Sequence, residues 1–381
     1  MDGYIRSDKK LGIRNHILIM SAADNVNPLS RMISKKIKGS IFVPASYGRG
    51  QLGNDHKNYL KIMSGIIDNP NVYKTILISM DGDSADWIIN ESNRKNDIHK
   101  ITLMDSKNMN SCIKEAIKIY EVFKKNKKYI KKKLFNLSDL VLGLECGGSD
   151  TTSGLIANPS LGFFVDKLII NNGSAIFSEP VECLGGEESL IKRCSSRKVK
   201  QKITNVIEKY AKIAIKNGVD LNGVNPTPDN IRGGLSTIEE KSLGAISKSG
   251  NSKISGVLDF GERLKNKGLY LLDAPAAAVE NLTSLVASGC HVIIFTTGGG
   301  NPVGNPIAPT IKVTANKHTF KKFKNLIDID LSEILETLNY NIGSLKIEKE
   351  IINVIQGKTT ASEKNNYLET NISRFGPSIW K

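Results

Sequence analysis

Asp139-Leu140-Val141-Leu142-Gly143-Leu144-Glu145-Cys146-Gly147-Gly148-Ser149-Asp150-Thr151-Thr152-Ser153-Gly154 decides how this chain is read. Residues 139–144 form an apolar run short enough for a buried strand. The two glycines after it let the backbone approach a ligand, and Ser153 to Ile156 open a helix that Asn158-Pro159 is expected to close early. A strand that ends in Gly-Gly and delivers reactive side chains to a helix start marks the carboxyl edge of a parallel sheet, where α/β proteins place their sites. Cys146, Ser149 and Asp150 are therefore the first candidate site residues.

Working outward, short apolar runs alternate with helical patterns. Strands are expected at 17–20, 40–44, 75–80 and 101–104, and helices at 27–37 and 109–124. Beyond residue 137, strands are expected at 139–144, 174–178, 269–273 and 291–297. Helices are expected at 199–216, 237–247, 276–288, 317–325 and 344–357. This order predicts an α/β fold: a parallel-sheet N-terminal domain over 1–133 and a larger α/β catalytic domain over 134–381. The lysine-rich run Lys124 to Lys133 supplies the boundary.

A length of 381 residues supports more than one core. No apolar run is long enough to read as a membrane span, and charged residues interrupt the N-terminus where a signal peptide would be apolar. A cytoplasmic location is the resulting expectation. The five cysteines form no CxxC pair, which argues against a disulfide framework. The formal charge of +15 resides largely in lysine clusters without interleaved aromatics or a nucleic-acid-binding motif. Neither a nucleic-acid nor a membrane partner is expected; an anionic small molecule is.

Three further stretches carry chemistry. Glu179, Glu182 and Glu187 follow the strand at 174–178, and such hard oxygen donors suit Mg(II), Mn(II) or Fe(II). Lys241 follows Ser236-Thr237-Ile238-Glu239-Glu240, a double capping-box pattern, and is the single cation beside the Gly233-Gly234 turn. Thr296-Thr297-Gly298-Gly299-Gly300-Asn301 follows an apolar strand, so its amides are expected to cradle a carboxylate or phosphate. It lacks the GK[ST] ending of a nucleotide-binding P-loop. His291 and His318 read as structural or exposed, whereas Tyr47, Arg49 and His56 lie in or near a glycine-rich segment and are secondary candidates.

These motifs, in this order, resemble the catalytic region of the altronate and galactarate dehydratases, a family that includes the large subunit of sulfolactate sulfo-lyase. The resemblance extends from Gly3-Tyr4-Ile5-Arg6 and Gly12-Ile13-Arg14-Asn15 to Pro306-Ile307-Ala308-Pro309-Thr310-Ile311-Lys312. It implies a lyase that eliminates water from a sugar acid, assisted by a divalent metal. Lys241, Ser149, Asp150 and Glu182 are then the expected catalytic residues. Cys146, Glu179 and Glu182 are the expected metal ligands. Arg14, Asn15, Arg49, Asn230, Thr297, Gly298 and Gly300 are expected to bind substrate. Family enzymes carry a small β-rich domain before this region, so a small β-rich partner subunit is implied; homo-oligomerisation is left open.

The chain departs from the family at Gly48-Arg49-Gly50 and Asp81-Gly82-Asp83, where sugar-acid dehydratases commonly have Gly-Cys-Gly and Gly-Cys-Glu. An arginine at 49 suits a second strong anion such as a sulfonate, unless it pairs with Asp55. Carbon–sulfur cleavage of a sulfolactate-like substrate is therefore the alternative reaction. A non-catalytic subunit that retains the fold is the alternative of another class.

Overall fold

A computed structural model describes residues 2–221 and 225–379. The strands are β1 (Asp2–Ile5), β2 (Leu11–Gly12), β3 (His16–Ser21), β4 (Ser40–Val43), β5 (Val72–Ser79), β6 (Ile98–Thr102), β7 (Lys132–Leu134), β8 (Val141–Cys146), β9 (Ser174–Phe177), β10 (Ile254–Leu258), β11 (Gly268–Leu272), β12 (Val292–Thr296), β13 (Thr310–Thr314) and β14 (Ile329–Asp330). The main helices are α1 (Asn27–Lys36), α2 (Gly53–Asp68), α3 (Gly82–Glu91), α4 (Met109–Lys127), α5 (Asn158–Ile170), α6 (Arg197–Lys216), α7 (Ile238–Ser247), α8 (Ala278–Ala287) and α9 (Tyr340–Ile355).

The fold is α/β. Two parallel sheets dominate it: a 4-stranded sheet in the order β4-β3-β5-β6 and a 7-stranded sheet in the order β10-β11-β9-β8-β12-β13-β14. A small antiparallel sheet, β2-β1-β7, joins the chain's start to the segment after α4. The boundary expected at residue 133 thus falls inside β7.

Three apolar layers follow from the strand pattern. Leu144, Phe177 and Ile294 project from one face of the large sheet toward Leu161 and Phe164 of α5 and Ile351 of α9. Ile176 and Ile293 project from the other face and pack with Leu282 and Leu285 of α8 and Ile62 and Ile66 of α2. Gly65 is required here, because a Cβ on it would lie 2.6 Å from the carbonyl of Ala287. Ile17, Ile19 and Ile76 of the smaller sheet pack against α1 and α4.

Pro159 does not end a helix. It lies in the first turn of α5, where a missing N–H is tolerated, and a π-helical turn over Ser153–Ala157 leads into it. Together Ser153–Ile170 make an 18-residue helix apolar enough by length and composition to cross a membrane, although 56% of it is buried inside the protein. Its apolarity reflects a place between the sheet, α7 and α9. Helices α2 and α3 and strands β10 and β13 were not expected from the sequence, although Tyr59, Ile62, Met63, Ile66 and Ile67 recur at helical spacing on the buried face of α2.

Candidate active site

The order of the large sheet reverses between β8 and β12, because β9, β11 and β10 extend to one side and β13 and β14 to the other. Loops leaving neighbouring strands at such a point diverge, and the crevice between them is the usual ligand site. The loops after β8 and β12 meet there, with Gly147 N–H donating to Thr296 O at 3.1 Å.

The glycine amides are not a free cradle. Gly298 N and Gly299 N both donate to Gly148 O, at 3.1 and 2.8 Å; Thr297 N donates to Val313 O at 2.9 Å. Gly300 N donates to Thr297 Oγ1 at 2.9 Å. The glycines serve close packing instead: a Cβ at Gly298 would collide with the Asp150 carboxylate. Gly298 and Gly299 therefore hold the two loops together, and with these amides occupied Thr297, Gly298 and Gly300 do not form the open anion cradle expected.

Asp150 is a turn residue. Its Oδ1 accepts from Ser153 N at 2.8 Å and Thr152 Oγ1 at 2.7 Å, and Oδ2 accepts from Asn316 Nδ2 at 2.8 Å. With both oxygens occupied, Asp150 caps the helix start and has no lone role as an acid or base. Asn230 supports the same loop by donating to Ser149 O at 2.9 Å. Ser149 Oγ lies 3.3 Å from Cys146 Sγ, which also accepts from Asn158 Nδ2 at 3.4 Å. Ser149, Asp150, Asn158 and Lys241 line one small cavity.

Two glutamate–lysine pairs stand beside this loop. Glu179 and Glu182 are three residues apart, at the start and within the 3₁₀ turn Pro180–Cys183; Lys241 and Lys248 are seven apart on and just after α7. One 3₁₀ turn thus matches two α-helical turns. Lys248 Nζ donates to Glu179 Oε2 at 2.7 Å, and Lys241 Nζ donates to Glu182 Oε1 at 3.1 Å and Asn225 Oδ1 at 2.5 Å. Glu179 is buried and left-handed, with φ 65°, an unfavourable backbone conformation for a side chain of this size. Burial pushes its carboxyl up to about 7, against the opposing pull of Lys248. The Lys248 ammonium is in turn held above its ordinary range by the carboxylate it faces, despite burial.

The sequence reading overlooked three buried ionisable groups. Glu145 is fully buried and accepts from Asn281 Nδ2 of α8; burial and then the nearby Glu179 raise its carboxyl well above the usual range. Across the sheet Glu145 pairs with Phe295, and Phe295 with Lys312, which places all three on one face. Lys312 Nζ stands 3.5 Å from the Phe295 ring centroid and donates to Val303 O; burial lowers its pKa well below normal. Lys248 completes the set. The available signal was a charged residue inside an apolar strand, in Leu144-Glu145-Cys146 and Ile311-Lys312-Val313, and a lysine two helical turns after Lys241.

The expected metal ligands do not assemble. Glu179 is neutralised by Lys248, Glu182 by Lys241, and Cys146 contacts Asn158 and Ser149. Among the described residues, no group of three or more His, Cys, Asp or Glu side chains is arranged to hold a metal ion. This donor set does not fit a divalent cation, and no step is derived through one.

Other expected binding residues lie elsewhere. The Arg14 guanidinium donates to Val354 O at 2.7 Å, Lys358 O at 2.9 Å and Glu363 at 3.3 Å, tying the N-terminus to α9 and the helix after it. Asn15 Oδ1 accepts from buried Arg6 at 2.7 Å. Both are structural. Arg49 pairs with Asp81 at 2.8 Å at the carboxyl edge of the smaller sheet; Asp55 instead accepts from the backbone of Phe375 and Gly376. His291 is structural as expected: its Nδ1 accepts from Val141 N at 3.0 Å and its Nε2 faces Leu11 O at 2.8 Å.

A parallel α/β sheet with buried acid–base pairs at its switch point defines a class of small-molecule enzyme. The sequence carries this further. Residues 137–378 match the family described as "D-galactarate/Altronate dehydratase, C-terminal", and residues 3–126 match "D-galactarate dehydratase/Altronate hydrolase, second domain". The chain is 31% identical over 376 residues to (2R)-sulfolactate sulfo-lyase subunit beta of Chromohalobacter salexigens, covering 98% of this chain and 97% of that protein. It is 30% identical over 395 residues to altronate dehydratase of Escherichia coli, covering 99% of this chain and 78% of that enzyme, and 30% identical over 392 residues to altronate dehydratase of Bacillus subtilis. The chain belongs to the galactarate and altronate dehydratase family, and it is a lyase.

Proposed function

We propose that this lyase eliminates water from a sugar acid, giving a 2-keto-3-deoxy acid, at the carboxyl ends of β8 and β9, beside the switch point between β8 and β12. The observation that carries the reading is the Glu179–Lys248 pair beside Glu182–Lys241. Elimination needs a base for the proton α to the carboxylate, positive charge for the enediolate, and a proton for the departing hydroxyl. Glu179, with its carboxyl near 7, takes the α-proton. The electrons of that C–H bond form the enediolate, which the Lys241 ammonium stabilises. They then form the carbon–carbon double bond as the β-hydroxyl departs. Ser149 passes a proton to the departing hydroxyl, which leaves as water, and is reprotonated from solvent as Glu179 releases the α-proton, so the protein ends unchanged; the resulting enol tautomerises to the keto acid.

The same frame serves a leaving sulfite, and similarity to a sulfo-lyase subunit favours that second reading as strongly as 30% identity favours the first. Arg49 adds less to it than its sequence position implied, because Asp81 offsets its charge. Because one relative is a subunit, we further propose that this chain works with a second, smaller chain. The test is to supply altronate, galactarate and sulfolactate to the purified protein, with and without a candidate small subunit, and to assay 2-keto acid and sulfite. Keto acid from a sugar acid without sulfite supports dehydration. Sulfite from sulfolactate alone replaces that reading with carbon–sulfur cleavage.

A further inference from the structure

A second recess lies at the opposite end of the 7-stranded sheet. It is a cavity of about 470 Å³ where the β1–β2 hairpin meets the starts of β8 and β9 and the turn before β12. That volume falls in the range that holds small organic ligands, and it greatly exceeds the space one inorganic ion needs. Its floor is apolar, formed by Ile5, Leu11, Leu140, Val141 and Leu264.

Two features make it more than a gap between elements. Five lysines line it, Lys9, Lys10, Lys133, Lys265 and Lys267, against one carboxylate, Asp139. Of these lysines, Lys10 pairs with Asp8 at 3.5 Å. His291 adds no charge, since burial lowers its pKa to about 4 and both ring nitrogens face backbone partners. The second feature is Ser288, which lines the same cavity, is 1% exposed, and has a buried Oγ without a hydrogen-bond partner among the described residues. Buried hydroxyls are normally satisfied, so Ser288 adds a polar group without a partner from the described residues to this wall.

We propose that this cavity binds a small organic anion with an apolar body, its charged group among the lysines and its hydrocarbon or ring portion on the floor. The site is separate from the catalytic crevice, because its walls are the amino ends of the strands whose carboxyl ends carry Cys146, Glu179 and Thr296. Its ligand would also tie the β1–β2 hairpin to the roots of β8 and β12, a junction already made by His291 and Leu11.

The probe is 8-anilinonaphthalene-1-sulfonate, an aromatic sulfonate of suitable size, titrated by fluorescence against the full chain. The expected result is saturable binding of one equivalent. Affinity should fall at least tenfold in the Lys9→Glu/Lys265→Glu double variant, a change at two exposed positions, and weaken with added salt. Glu179→Gln and Lys241→Ala should bind the probe like wild type. Uncharged N-phenyl-1-naphthylamine should bind at least tenfold more weakly than the sulfonate. Binding without saturation, affinity indifferent to the lysine reversals, or equal binding of the uncharged analogue would each overturn the proposal. A melting curve for the double variant within about 2 °C of wild type establishes that the loss is local.

Discussion

Lys248 reaches Glu179 at 2.7 Å seven residues after Lys241 reaches Glu182, so one helix and its C-cap supply both cations to one acidic turn. The inner pair is fully buried and the outer pair is not, with 17% of the Glu182 side chain exposed. Burial raises the Glu179 carboxyl to about 7, which gives the inner pair an acid–base group near neutrality.

The pH dependence follows directly. Glu179 must be ionised to take a proton, and burial raises its carboxyl to about 7. The rate at low substrate is therefore expected to rise with pH and level off above about 7. Glu179→Gln should lower turnover about 10²–10⁴-fold, the usual contribution of a positioned base. The sign for stability is opposite: the folded state binds this proton more tightly than the unfolded chain does. The stability Glu179 contributes is greatest below its unfolded value and declines as pH rises toward 7. A rate profile without an inflection between pH 6 and 8 would remove Glu179 from the role of base.

Lys248→Met is expected to destabilise the protein by about 3–5 kcal/mol at neutral pH, because it leaves a buried carboxylate unpaired. Adding Glu179→Gln removes that charge and should recover most of the loss. Chemical denaturation of the two single variants and the double variant measures the coupling. If the double variant is as unstable as the sum of its parts, the 2.7 Å contact does not govern the stability of this region.

Glu145 makes a contrasting case. Its carboxyl is raised well above normal, so the protonated form is the one the fold prefers. Glutamine resembles that form and keeps both an acceptor for Asn281 Nδ2 and a donor of its own. Glu145→Gln should melt with wild type near pH 4 and above it at pH 8, where wild type must either ionise in a buried place or hold its proton against the solvent. Equal melting temperatures across that range would show that Glu145 carries its charge in the folded state.

The sequence announced the frame of the site better than its contents. Apolar runs located β8, β9 and β12, and Glu179, Glu182 and Lys241 were legible as candidates, although their pairing was not. What it could not show was hydrogen-bond accounting. The amides of residues 297–300 look free in a glycine run, but Gly148 O, Val313 O and Thr297 Oγ1 take them. Pro159 looks like a stop until the π turn before it is known. Glu145 and Lys312 sit in strands whose apolar neighbours outweigh them in any pattern, and only cross-strand register puts them either side of Phe295.

The donor arrangement bears on metal dependence. Glu179 and Glu182 each spend their charge on a lysine, so the protein freed of divalent ions is expected to keep its fold and its turnover. Elemental analysis of the purified protein and assay after exhaustive chelation check this. A strict requirement for one ion, restored by that ion alone, would mean that the two glutamates exchange their lysines for metal when the site is loaded.

Lys241 distinguishes catalysis from scaffolding. Its ammonium is held by Glu182 and Asn225, and it lines the small cavity with Ser149 and Asn158. Among the described residues Lys241 is the cation that lines this cavity, whereas Lys248 pairs with Glu179 on the buried side, so an enediolate held at its mouth would meet Lys241. Lys241→Ala is therefore expected to lower turnover by about 10²–10³ through loss of one electrostatic contact to the developing charge. Its stability should fall by less than that of Lys248→Met, because Glu182 is partly exposed and can be hydrated once its partner is gone. Lys241→Arg keeps the charge but carries a planar fork in place of a compact ammonium, and should recover stability without recovering rate. A variant series in which rate and melting temperature fall and recover together would assign Lys241 to the support of α7 rather than to the reaction.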